Sequence, residues 1–179
     1  ELPDQKKNRF IEKFKLSPYE ATILVSDLDT SKFFEKVIEK SDIKLSANWI
    51  TGELFALLNE NNLEISESPI SPENLSKLIN LISDGTISGK IAKTIFEIMS
   101  KEDKDPNIIV EEKGLKQESD PKALEDLIQK VLSSNKDKVE EYKSGKDKLF
   151  GFFVGQTMKL TKGQANPNVV NDILKRKLS

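Results

Sequence analysis

The chain has 179 residues, enough for one domain or two small ones, with 28 basic and 30 acidic side chains and a net charge of −2. It contains no cysteine and no histidine, which excludes Ser-His-Asp and Cys-His catalysis, zinc and iron–sulfur ligation, haem binding through His or Cys, and disulfides. Nothing marks an oxidising compartment and no apolar run approaches the roughly 20 residues of a membrane span, so a cytoplasmic setting away from membranes is expected. The chain opens on Glu1 rather than methionine, which is expected of a fragment or processed product.

Taken in order, the segments read as helices. Ser17-Pro18-Tyr19-Glu20 combines an N-cap, a proline at the first helical position and a Glu that closes a capping box. Asp27 and Asp29 form a D-x-D whose carboxylates suit magnesium or an aspartyl nucleophile. Their Ser-Asp-Leu-Asp-Thr context fits the capping of backbone amides better. Glu35 and Glu39 share a helix face with Lys36 and Lys40 beside them, the pattern of a charged surface. Ile43, Ala47, Ile50, Leu54 and Leu58 predict one helix over about 44–60. Ser71-Pro72 starts the next, lined by Leu75, Leu78, Ile79 and Ile82, and Gly85 follows it as a left-handed cap. Ile91, Ile95, Phe96 and Met99 line another helix, and Asp105-Pro106 opens one more after the charged run 101–105. Glu111-Glu112 suits a helix-end surface better than a general base pair.

A domain boundary is expected near 114–120, where apolar residues thin out, giving domains 1–115 and 116–179. Residues 1–113 carry 15 basic and 21 acidic side chains, net −6, and residues 114–179 carry 13 and 9, net +4. Asp120-Pro121 starts a helix lined by Leu124, Leu127, Ile128, Val131 and Leu132. A further helix carries Leu149, Phe153 and Met158, and Asn166-Pro167 starts the last, with Val170, Ile173, Leu174 and Leu178 on one face. No alternating strand with a hairpin turn is present. The expected fold class is all-α, with nine or ten helices in total: a multi-helix domain followed by a small three- to four-helix tail.

The chemistry is concentrated late in the chain. No P-loop and no G-x-G-x-x-G is present, and no catalytic or metal-ligating set emerges. Gly151 and Gly155 lie four apart inside a helix, where each costs about 1 kcal/mol relative to alanine. They imply close approach of another helix or of a partner's backbone, including a nucleic acid's. Lys159, Lys162, Gly163, Gln164, Asn166 and Asn168 then form a polar turn into the last helix, suited either to phosphate binding or to plain capping with solvated lysines. Lys175, Arg176 and Lys177 fit the C-terminal dipole of that helix.

The segment Leu149-Phe-Gly-Phe-Phe-Val-Gly-Gln-Thr-Met-Lys-Leu-Thr-Lys-Gly-Gln-Ala-Asn-Pro-Asn-Val-Val-Asn-Asp-Ile-Leu resembles the C-terminal signature of the B subunits of aspartyl/glutamyl-tRNA amidotransferases. Glu1-Leu-Pro-Asp, Lys44-Leu-Ser-Ala-Asn-Trp-Ile, Ile87-Ser-Gly-Lys-Ile-Ala-Lys and Ile109-Val-Glu-Glu-Lys-Gly-Leu-Lys-Gln-Glu-Ser-Asp are similar to motifs of the same family, so the resemblance covers essentially the whole chain. It implies a helical domain plus a YqeY-like tail, and a parent enzyme, a carbon–nitrogen ligase with glutamine as amido donor. That enzyme converts Glu-tRNA(Gln) or Asp-tRNA(Asn) to the amide form, with ATP and magnesium bound by an N-terminal domain outside this segment. The resemblance implies no cofactor and no catalytic site in this chain, with tRNA(Gln) or tRNA(Asn) and the A and C subunits as partners. It also implies tRNA contacts at Lys159, Lys162, Gly163, Gln164, Asn166 and Asn168. Asn48, Ser88, Lys90 and Lys93 match motif positions without an assigned role, and Trp49 is expected in the core. The alternative is a helical module that docks other subunits without touching RNA.

Overall fold

A computed structural model describes residues 1–179 as twelve α-helices joined by short turns, with no strand. The all-α expectation holds, and every proline-marked start is a helix start. The helices α2 (Pro18–Leu24), α6 (Pro72–Ser83), α8 (Pro106–Lys113), α9 (Pro121–Ser134) and α12 (Pro167–Leu178) all begin on the proline that the sequence marks. Proline has no amide to leave unpaired in a first turn, and its φ is already helical. The caps are equally literal: Ser17 accepts from the Glu20 amide, Ser71 from Asn74, Asp120 from Lys122 and Asn166 from Asn168.

The chain divides into two compact units, Glu1–Asp84 with Thr94–Glu112, and Gly85–Lys93 with Lys113–Ser179. The first holds α1 (Pro3–Phe14), α2, α3 (Leu28–Ile38), α4 (Ile43–Trp49), α5 (Phe55–Glu60), α6 and α8, with most of α7 (Gly89–Met99). Phe10, Phe14 and Phe34 pack as a triad at the α1–α3 contact, with centroids 5.2 to 6.1 Å apart. Trp49 is buried against Phe96 at 5.6 Å, as its expected core role requires. The helix expected over 44–60 is one continuous run from Ile43 to Glu60, but Ile50–Leu54 winds as a π-helix. The wider turn keeps Ala47, Ile50, Leu54 and Leu58 buried. Such bulges insert into helices as single turns, and nothing in the periodicity announces this one.

The second unit has its own core. Leu124, Ile128, Val131 and Leu132 of α9 pack with Phe153 of α11 (Leu149–Leu160), Ala165, and Val170, Ile173, Leu174 and Leu178 of α12. Phe153, Leu124, Ile128, Ala165, Val170 and Leu174 are completely buried. Between α9 and α11, α10 (Lys136–Lys143) buries no residue fully. Its apolar side chains Val139 and Tyr142 are partly buried against the core, Tyr142 edge-on to Phe153 at 6.4 Å. Two-turn helices such as α10 have no complete apolar stripe, which is why twelve helices are present where stripes suggest nine or ten.

The division also sharpens the charge separation. The first unit carries 12 basic and 21 acidic side chains, net −9, and the second 16 and 9, net +7. Gly85–Lys93 contributes Lys90 and Lys93 to the basic unit and no acid. No helix is long and apolar enough to cross a membrane.

Candidate nucleic-acid interface

The polar turn after α11 is built on two consecutive left-handed residues. Lys162 has φ +53° and Gly163 φ +80°, and the Gly163 amide donates to the Met158 carbonyl at 2.8 Å. This bond closes the last turn of α11 in the manner of a glycine C-cap. Glycine takes that conformation without steric cost, whereas Lys162 gives up roughly 1 kcal/mol to hold it. The Thr161 hydroxyl donates to the Thr157 and Met158 carbonyls at 3.2 and 3.1 Å, and it accepts from the Ala165 amide at 3.3 Å. The turn is therefore cross-braced from inside.

It is also pinned from outside by residues 114–119. The Glu118 amide donates to the Gln164 carbonyl at 2.7 Å, and the Asn166 amide donates to the Glu118 carbonyl at 2.8 Å, a single parallel bridge between Glu118 and Ala165. The Gln164 side-chain amide donates to the Gly114 carbonyl at 2.7 Å, and that of Asn166 to the Ser119 hydroxyl at 3.2 Å. Two of the six candidate residues thus direct their side chains into the fold. Asn166 has a second role, since its Oδ1 also caps the Asn168 amide at 3.1 Å. Lys159, Lys162 and Asn168 are exposed. Neither lysine is within ion-pair distance of a carboxylate, a condition they share with many lysines of the chain, whereas Lys6, Lys36, Lys44, Lys77, Lys104, Lys146 and Lys177 are paired.

Gly151 and Gly155 sit on the exposed side of α11, and a Cβ added to either meets nothing within 4 Å. Close packing of another helix of this chain is therefore not their purpose. Residues four apart lie one above the other on a helix face, so Gly151, Gly155 and Lys159 form one row, bare along two turns and charged at its end.

The residues of the other motifs have separate places. Ser88 accepts from the Ile91 amide at 3.2 Å and caps the start of α7. Asn48 is exposed. Asp27 is a cap: its carboxylate accepts from the Thr30 amide at 2.7 Å and the Thr30 hydroxyl at 2.6 Å. Burial works to raise its pKa, but those bonds outweigh it and hold the carboxyl below its ordinary value. Glu35 accepts from Lys6 and Arg9. Nowhere do three or more carboxylates converge as a metal site would require.

The family model described as the GatB domain matches residues 32–178. Over 99% of the chain, the sequence is 68% identical to the B subunit of the aspartyl/glutamyl-tRNA(Asn/Gln) amidotransferase of Pelagibacter ubique, of which it covers 37%. The corresponding B subunits of Zymomonas mobilis and Rickettsia bellii are 50% and 55% identical, over 100% and 99% of the chain and 38% and 37% of their own lengths. The chain thus spans little more than a third of the relatives it matches.

Proposed function

Because the chain belongs to the GatB domain family, we propose that it is the noncatalytic, tRNA-gripping part of an amidotransferase B subunit. In this reading it holds Glu-tRNA(Gln) or Asp-tRNA(Asn) while the rest of the enzyme, using ATP and magnesium, converts the esterified carboxylate to its amide. The observation that carries the reading is the exposed face of α11. It presents a row of bare glycines ending at Lys159, then Lys162 on a braced left-handed turn, with no carboxylate competing for either ammonium. The surrounding unit carries net +7.

A folded RNA is read largely through its phosphates, 2′-hydroxyls and shape. Lysine ammoniums meet phosphates as point charges, and a glycine row lets a backbone approach more closely than any side chain would. In this reading Lys159 and Lys162 make the direct contacts and Asn168 supplies an exposed amide beside them. Gln164 and Asn166 act through the turn, which they hold against residues 114–119, and Gly163 permits its geometry.

The test is binding of tRNA(Gln) and tRNA(Asn) to residues 1–179 across a salt series. Wild type binds with an affinity that falls as salt rises. The Lys159→Ala/Lys162→Ala variant loses about 1.4–1.8 from the log–log salt slope, the share of two phosphate contacts. Equal slopes for the two proteins would end the assignment. A second role, docking the A and C subunits, has its own observation in the first unit, where Leu2, Tyr19 and Leu28 are exposed to 67%, 76% and 61%. Each would remove apolar area from water on contact with a partner, and Leu28→Asp is expected to weaken association with those subunits while leaving tRNA binding intact.

A further inference from the structure

The turn after α11 meets a residue from a distant part of the sequence. Lys90, in the first turn of α7 and within the same compact unit, lies across Gly163. A Cβ placed on Gly163 would touch Lys90 Nζ at 3.7 Å and its Cδ and Cε at 3.9 Å. Gly163 is the one glycine of the chain whose open face is filled at all, the others meeting nothing within 4 Å. The filling group is a cation beside the residue that follows Lys162.

Lys90 is exposed and has no carboxylate within ion-pair distance, like Lys159 and Lys162. Glu118, whose backbone is bonded to the turn, directs its carboxylate to the Asp120 amide at 2.8 Å. Some lysines elsewhere in this protein are matched with acids on neighbouring helices, Lys36 with Glu73 at 2.8 Å and Lys44 with Glu20 at 2.6 Å. Cations along one surface raise the local concentration of anions. A Cβ at position 163 would only touch the Lys90 stem at ordinary contact distance, so glycine is required here by its left-handed φ of +80° and not by space.

We infer that Lys90 is a third phosphate-binding cation of this interface, gripping the RNA backbone at the same turn as Lys162 and Lys159. The inference rests on the tRNA-gripping reading above and extends it to a residue of the α7 segment. Phosphodiester is the chemistry it fits, since lysine ammoniums meet phosphates as point charges.

The experiment measures tRNA(Gln) binding to residues 1–179 over a salt series for wild type, Lys90→Gln, Lys90→Arg, Lys159→Ala/Lys162→Ala, and the triple variant Lys90→Gln/Lys159→Ala/Lys162→Ala. Lys90→Gln is expected to weaken binding three- to tenfold near 0.1 M salt and to lower the log–log slope by about 0.7–0.9, one phosphate's share. Lys90→Arg restores both, and Lys90→Gln costs less in the triple variant than alone, because the three cations act on one site. Suppose the Lys159/Lys162 change weakens binding while Lys90→Gln leaves affinity and slope untouched: the inference falls and the wider reading stands. If neither matters, both fall. A loss in Lys90→Gln that arginine does not repair, with the slope unchanged, reveals a packing role and also overturns the inference.

Discussion

Glu20 shows how much a single side chain does here. Its carboxylate accepts from the Ser17 amide at 2.8 Å and the Ser17 hydroxyl at 2.7 Å, closing the capping box of α2. It also accepts from Lys44 at the start of α4, at 2.6 and 2.8 Å. The Lys44 bond first, and then those from Ser17, pull the Glu20 carboxyl down to about 2 from its ordinary 4.5. A carboxyl depressed by folding stabilises the protein above its unfolded pKa, and that stability drains away as pH falls from about 4.5 towards 2. Lys44 is 59% exposed, so the ion pair itself contributes little and the cap carries most of the effect. Glu20→Ala, which removes the capping-box acceptor as well as the charge, is therefore expected to cost about 1 kcal/mol at pH 7, on the scale of a lost cap, and to flatten the dependence on pH between 4.5 and 2. Urea unfolding of both proteins at several pH values checks it; parallel acid limbs would place the titrating group elsewhere.

At the scale of the element, α11 separates two uses of glycine. Gly151 and Gly155 occupy helical positions with open space beside them, so alanine fits either without a clash. Gly151→Ala and Gly155→Ala should each stabilise the protein by about 0.5–1 kcal/mol, by raising helix propensity and restricting the unfolded chain. Both should weaken tRNA binding if the bare row is where the RNA backbone approaches. Thermal unfolding and tRNA titration of the two variants read the effects apart, and destabilisation would show that the row is not open. What the sequence makes plain in α11 and its neighbours is local. Proline-marked starts, caps and apolar stripes depend on residues within one or two turns, so Ser17, Ser71, Asp120 and Asn166 are readable as caps and are caps. The purpose of Gly151 and Gly155 is not local: a glycine pair signals an approach without saying by what. Gln164 and Asn166 are ambiguous for the same reason. An exposed amide for a ligand and an amide bonded to Gly114 or Ser119 look identical until the distant segment is in place. Lys90 belongs to this class too, since nothing near it in sequence points to Gly163.

For the whole molecule, a net charge of −2 describes neither unit. The first carries −9 and the second +7, so attraction of a polyanion follows the second unit rather than the total. All ten buried residues of its core lie between Leu124 and Leu178, inside the continuous stretch 113–179. That stretch has 14 basic and 9 acidic residues, net +5. It lacks Lys90 and Lys93, the buried side chains of Ile87, Ile91 and Ala92, and the bond from the Gln117 amide to the Thr86 carbonyl, a backbone hydrogen bond whose net worth is about 1 kcal/mol. A 113–179 fragment should therefore keep its helical far-UV circular dichroism and a cooperative thermal transition at a lowered midpoint. Its tRNA binding should persist with a salt slope about 0.7–0.9 shallower than that of 1–179, because one of three cations is gone. Loss of the cooperative transition would mean that residues 85–93 belong to the fold of the unit and not only to its charge. A folded fragment with the full slope would show that the cations of 113–179 suffice without Lys90.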